Sequence, residues 1–158
     1  MCIRDRHSTN VNAVNALELA HERNINVTDA HSQGKDEYQC RIVVTAETES
    51  LTRSVAGTLI SNRPRLIDVK GIALESELGA HMLYITNQDT PGVVGAIGTT
   101  AGDQGINIAN LHLGRSDAGG VAIALVEVDE VVNEEQLDLL RSLPGISDVN
   151  YLHFPVAQ

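Results

Sequence analysis

The chain has 158 residues, of which 42% are apolar, and a formal net charge of −10. That apolar content is enough for a packed core and excludes a disordered chain. The acidic balance argues against a nucleic-acid partner, because phosphate binding needs a basic surface, and no apolar run approaches the ~20 residues of a membrane span.

There is no Trp and aromatics make up 3%, so the core has to be Val, Ile, Leu and Ala. No signal peptide is visible. Cys2 and Cys40 form no CxxC pair, so a cytoplasmic protein is expected. The six His are scattered without ligand-like spacing, and no metal site is expected.

The opening residues, Met1-Cys2-Ile3-Arg4-Asp5-Arg6, fit no element downstream and resemble translated adapter sequence. Residues 1–8 are therefore set aside as an artefact or a disordered terminus, and the chain is expected to be a fragment of a longer protein. Val14, Leu17 and Ala20 recur at spacings of three, with Ala13 and Ala16 widening the stripe, which predicts a helix over 11–23. Val27 to Ala30 is a short strand candidate, with a polar turn after it at Gln33-Gly34-Lys35-Asp36. Cys40, Ile42, Val44 and Ala46 alternate with their neighbours and predict a half-buried strand. Leu51 to Ile60 returns as its partner. Arg65 to Val69 and Ile72 to Leu74 form a second hairpin around Lys70-Gly71. Residues 9–76 thus read as a small module of one helix and antiparallel hairpins.

From residue 80 the order changes. A strand over 81–87 leads to a helix over about 91–104, and Gly105 turns the chain into a strand over 106–114. Asp117-Ala118-Gly119-Gly120 is a hairpin turn into a strand over 121–129. Asn133-Glu134-Glu135-Gln136 is a capping box that opens a helix, which Pro144-Gly145 stops before a last strand over about 147–154. Over 80–155 the order β-α-β-β-α-β is that of a ferredoxin-like unit. The whole chain is α+β. In the first helix of this unit Val94, Ile97, Gly98 and Ala101 are expected on the sheet-facing side, with Gly98 allowing a close approach.

The stretch with the most chemistry is Asn87-Gln88-Asp89-Thr90-Pro91-Gly92-Val93-Val94, a strand-to-helix junction. Pro91 suits the first helical position and Thr90 the N-cap. The free N–H groups around Gly92 and Val93, at the positive end of the helix dipole, would suit a small carboxylate. Asp89 adds a fixed negative charge beside them. A positive helix end next to a carboxylate suits a zwitterion, of which an amino acid is the commonest. An ordinary βα turn with a solvated Asp fits the same eight residues. Asn107, between two Ile, is either a turn-adjacent amide bonding its own backbone or a donor–acceptor pair for a ligand. Arg63, Arg65 and Lys70 form a close basic cluster; a solvated hairpin face and an anion site at Arg65 and Lys70 both fit. Gly92, Gly95, Gly98 and Gly102 lack the spacing of a dinucleotide loop, and no local constellation marks a catalytic centre, so no catalytic residue and no bound cofactor are expected.

Asn87-x-Asp89-x-Pro91-Gly92-Val93-Val94-Gly95, with Gly102-x-x-Gly105-Ile106-Asn107-Ile108-Ala109 after it, resembles an ACT domain. Together with Leu143-Pro144-Gly145-Ile146 it is similar to the C-terminal ACT domain of the D-3-phosphoglycerate dehydrogenase family. Upstream, Val11 to Arg23 and Ser54-Val55-Ala56-Gly57-Thr58-Leu59 resemble that family's intervening (allosteric substrate-binding) domain. The resemblance implies ACT domains paired side by side through one continuous sheet, with L-serine at the interface for feedback control. Asp89 would take the ammonium, Asn87 would bond the hydroxyl or carboxylate, and Pro91, Gly92 and Val93 would form the carboxylate end. Asn107 would reach in from the partner subunit. It also implies an NAD-dependent parent oxidoreductase in serine biosynthesis, a homotetramer, whose catalytic and NAD-binding parts have no candidate here. The alternative is a non-catalytic ACT sensor or the regulatory subunit of another protein. An upstream G-x-G-x-x-G fingerprint would separate the two.

Overall fold

The computed structural model describes residues 12, 14–28, 38 and 40–154, and the chain forms two compact units, residues 1–37 and 38–158. In the first unit the described structure is helix α1 (Ala16–Glu22). Its start is organised by Asn12, whose Oδ1 accepts the N–H groups of Val14 and Asn15 at 2.9 and 3.1 Å. The helix is shorter than its periodicity predicts, and of the strand expected over Val27 to Ala30, residues 27 and 28 have no regular structure while 29 and 30 lie outside the described residues. The expected turn at Gln33–Asp36 and residues 1–8 lie outside the described residues.

The second unit holds two antiparallel four-stranded sheets. The first is a meander of β1 (Arg41–Glu47), β2 (Thr52–Ile60), β3 (Arg63–Val69) and β4 (Ile72–Ser76), in that order. Its hairpins turn where the backbone can adopt positive φ: Ser61 and Asn62 between β2 and β3, and Lys70 and Gly71 between β3 and β4. The predicted half-burial of β1 is not observed, because every residue of β1 is exposed, Ile42 at 65% and Val44 at 58%. The reason is position. β1 is the outer strand, and the sheet packs onto the rest of the unit through β3 and β4.

The second sheet has the expected β-α-β-β-α-β order: β5 (His81–Gln88), α2 (Val93–Asp103), β6 (Ile108–Arg115), β7 (Val121–Val128), α3 (Glu134–Arg141) and β8 (Ile146–His153). The strand order is β6-β7-β5-β8, which leaves β6 and β8 as edges. The two central strands are buried on both faces. On one face Leu83, Ile85, Ala124, Val126 and Val128 meet Val93, Ile97 and Ala101 of α2 and Leu137 and Leu140 of α3. On the other, Met82, Ile123 and Leu125 meet Val69, Ile72 and Leu74 of the first sheet. One sheet therefore carries helices on one side and the β3–β4 hairpin on the other.

The capping box of α3 is formed as expected: Asn133 Oδ1 accepts the Gln136 N–H at 2.9 Å, and Gln136 Oε1 accepts the Asn133 N–H at 3.0 Å. Gly114 of β6 faces β4 so closely that an added Cβ would stand 2.7 Å from the Ala73 carbonyl oxygen and 2.8 Å from Ile72 Cγ2. Gly98, by contrast, is exposed and a Cβ there would meet nothing within 4 Å. The sheet-facing side of α2 is Val93, Ile97 and Ala101, with Val94 outward, so the expected role of Gly98 in close packing is corrected.

Candidate functional site

A cleft of about 260 Å³ opens where β5 runs into α2, beside the far end of β6. Asn87, Asp89, Thr90, Val93, Val94, Leu113, Gly114, Arg115 and Ala122 line it. Sheet register explains the grouping. Asn87 of β5 lies opposite Ala122 of β7, and Ala122 lies opposite Arg115 of β6. Three segments distant in sequence thus end side by side under the start of α2. The backbone leading into the cleft is fixed at both flanks: Gln88 N–H donates to Gly145 O at 2.8 Å, and Asp89 N–H to Gly120 O at 2.9 Å.

The start of α2 differs from the sequence expectation. Gly92, not Thr90, is the N-cap residue, with φ of 95° and no side-chain cap, and Val93 is the first helical residue. Pro91 therefore lies in the turn before the helix. The left-handed backbone at Gly92 is what glycine permits, and it swings the chain from strand to helix in a few residues. The cap lacks a side-chain oxygen, so the first-turn N–H groups, Val94 among them, stay unclaimed by side chains at the positive end of the helix dipole.

Two polar groups define the electrostatics. Asp89 Oδ2 accepts a hydrogen bond from Gly119 N–H at 3.1 Å and from Arg115 Nη1 at 2.9 Å. The Gly119 N–H first, and then the Arg115 guanidinium, hold the Asp89 carboxyl below its ordinary value of 3.8. Asn87 is 5% exposed; its Nδ2 donates to Gln88 O at 2.9 Å, and its Oδ1 is buried without a hydrogen-bond partner. A buried acceptor left unmade costs about 1–3 kcal/mol, so this oxygen can take a donor brought by a water or a ligand.

Of the residues singled out in the sequence, Asn87, Asp89 and Val93 line this cleft, with Gly92 and Pro91 at its helical margin. Asn107 does not join them within the chain. It lies beyond the opposite end of β6, where its Nδ2 donates to Asp129 Oδ2 and its N–H to Glu130 Oε2 at 3.0 Å. Arg65 and Lys70 are each engaged elsewhere: the Arg65 guanidinium contacts Glu77, and the Lys70 ammonium stands 5.0 Å from the centre of the Tyr84 ring. Arg115 is the residue that sequence reasoning missed. Nothing local marks an Arg at a strand end; only the β5–β7–β6 register brings it beside Asp89.

The described residues contain no group of three or more His, Cys, Asp or Glu that could hold a metal ion. No helix among them is long and apolar enough to cross a membrane.

The sequence matches two family models. A family model for the ACT domain matches residues 81–145, and one for the D-3-phosphoglycerate dehydrogenase intervening domain matches residues 2–70. The class is that of an ACT domain preceded by an intervening domain. Similar curated proteins are the D-3-phosphoglycerate dehydrogenases of Methanocaldococcus jannaschii (35% identical over 139 residues, 88% of this chain and 26% of the relative) and Bacillus subtilis (31% over 154 residues, 97% and 29%). That of Archaeoglobus fulgidus is 30% identical over 147 residues, 92% of this chain and 28% of the relative. The chain carries the two regulatory domains of the D-3-phosphoglycerate dehydrogenase family, and it spans about a quarter of the length of the curated relatives it matches.

Proposed function

We propose that the chain is the regulatory part of a cytoplasmic, NAD-dependent D-3-phosphoglycerate dehydrogenase, and that it binds L-serine at a dimer interface of its ACT domain for feedback control. The observation that carries this reading is the cleft at the start of α2. It offers an ionised carboxylate, an unpartnered buried amide oxygen and a helix N-terminus within one small volume. The ammonium of an amino acid donates to Asp89 and to Asn87 Oδ1, and its carboxylate faces the first-turn N–H groups around Val93.

The partner subunit completes the site. β6 is an edge strand carrying exposed Leu113 at one end, and such an edge favours pairing with a second copy. Within one chain Asn107 and Arg115 are about 25 Å apart along the strand direction. An antiparallel β6–β6 pairing about a two-fold axis near Leu111 brings the start of one strand to the end of the other. Asn107 of one copy then reaches the Asp89 cleft of its mate. Differential affinity of serine for one arrangement of the pair is what would move the catalytic domains of the parent, with couplings of about 1–3 kcal/mol typical. The oxidation itself belongs to the parent. NAD is assigned to the parent because the glycine-capped start of α2 lacks the G-x-G-x-x-G spacing of a dinucleotide loop.

Calorimetry with L-serine, D-serine and glycine, paired with light scattering, tests the reading. L-serine is expected to bind a dimer. Asp89→Ala is expected to weaken it roughly ten- to a hundredfold, and Asn107→Ala about fivefold, the ranges for charge-assisted and neutral hydrogen bonds. Absence of serine binding, or unchanged affinity in Asp89→Ala, overturns the assignment. Much tighter binding of another amino acid overturns serine and leaves the sensor.

A further inference from the structure

The resting cleft already contains a cation. The Arg115 guanidinium lies on Asp89 Oδ2 at 2.9 Å, and the same oxygen takes the Gly119 N–H at 3.1 Å. The Arg115 side chain is 61% exposed and that of Asp89 31%, so the ion pair is open to solvent. A pair this exposed gains little net free energy over two hydrated ions, and its long arginine arm can leave without disturbing the core. Opening it exposes a carboxylate at the head of α2 and a free guanidinium at the end of β6, on the two walls of one cleft. The unpartnered Asn87 Oδ1 stands in the same lining, ready for a donor that arginine does not supply.

We propose that Arg115 is a specificity-determining residue of this site. Its guanidinium is the resting occupant of Asp89, and the ligand enters by exchanging ion-pair partners, its ammonium taking Asp89 and its carboxylate, set against the start of α2, also taking Arg115. The proposal rests on the cleft being an amino-acid site and adds what the site rejects. A zwitterion supplies a counter-charge to both members of the opened pair. A simple amine satisfies Asp89 but separates Arg115 from its counter-charge. A hydroxy acid leaves Asp89 facing a neutral group and has to draw the guanidinium away from it. The exchange therefore selects α-amino acids over amines and carboxylic acids of the same size.

The test is calorimetric titration of the full chain with three probes: L-serine, ethanolamine (no carboxylate) and 3-hydroxypropanoate (no ammonium). Wild type is compared with Arg115→Met and Arg115→Lys. Arg115→Met removes both the resting cation and the carboxylate partner. Ethanolamine is then expected to bind about fivefold more tightly than to wild type while serine gains nothing, so their affinity ratio falls by fivefold or more, the scale of one exposed ion pair. Arg115→Lys, which keeps the charge, is expected to recover most of the ratio. A ratio in Arg115→Met within twofold of wild type overturns the proposal and leaves the amino-acid site standing. A Lys variant that behaves like the Met variant also overturns it, because charge is then not the cause. If wild type binds none of the three, the reading of the cleft itself falls, and the proposal with it.

Discussion

Replacing Gly114 by Ala tests whether the two sheets of the second unit are packed as described. The added Cβ would lie 2.7 Å from the Ala73 carbonyl oxygen, 2.8 Å from Ile72 Cγ2 and 3.0 Å from Leu74 Cβ. The first of these is backbone, so no rotamer change relieves it; β4 has to move away from β6, or β6 from β7. Overpacking of this kind costs about 1–3 kcal/mol, and the backbone contact places the effect near 2 kcal/mol. The unit spans residues 38–158, and at about 2.1 cal/mol/K per residue its unfolding entropy is roughly 0.25 kcal/mol/K. Two kcal/mol then lowers the melting temperature by about 8 °C. Thermal unfolding monitored by circular dichroism measures it, with Gly98→Ala as the control. A Cβ at Gly98 meets nothing within 4 Å, and alanine in an exposed helical position should stabilise by about 0.5–1 kcal/mol. A Gly114→Ala protein melting within 1 °C of wild type would refute the packing of β4 on β6.

The remaining predictions concern the cleft and α3. Asp89 is the acidic group in the cleft lining, and its folded pKa lies below the ordinary 3.8. Its contribution to stability is therefore fully present above the unfolded value and is lost as pH falls through the depressed folded value. If binding needs the ionised Asp89, amino-acid affinity should be lost only below the ordinary carboxylate range. A binding transition centred at or above the ordinary 3.8 in calorimetry would show that the Gly119 and Arg115 contacts do not hold the charge. Asn133→Ala removes the Asn133 side-chain half of the α3 capping box and should cost about 1 kcal/mol, or roughly 4 °C in melting temperature. Unchanged melting would mean that the box is not formed in solution.

The sequence by itself carried the local order of the fold. The strands expected over 81–87 and 121–129, the helix expected over about 91–104, the Asn133–Gln136 box and the turn at Asp117–Gly120 are written in neighbouring residues, so each was legible. Asp89 and Asn87 were legible as site candidates because a strand-to-helix junction is itself a local feature. Tertiary structure decided the rest. Alternation in β1 could not say whether a face is covered, since burial depends on what packs against it, and the packing falls to β3 and β4 at the other side of the sheet. Glycines 98 and 114 look alike in sequence; one faces solvent and the other a carbonyl oxygen, which only the meeting of β4 and β6 determines. Arg115 reaches Asp89 from 26 residues away through the register of β5, β7 and β6. Helices and turns arise from contacts a few residues apart, so a single chain spells them out. Which charge neutralises Asp89, and which glycine lies against a neighbouring backbone, depend on strand pairing across long separations, where residue identity alone carries no address.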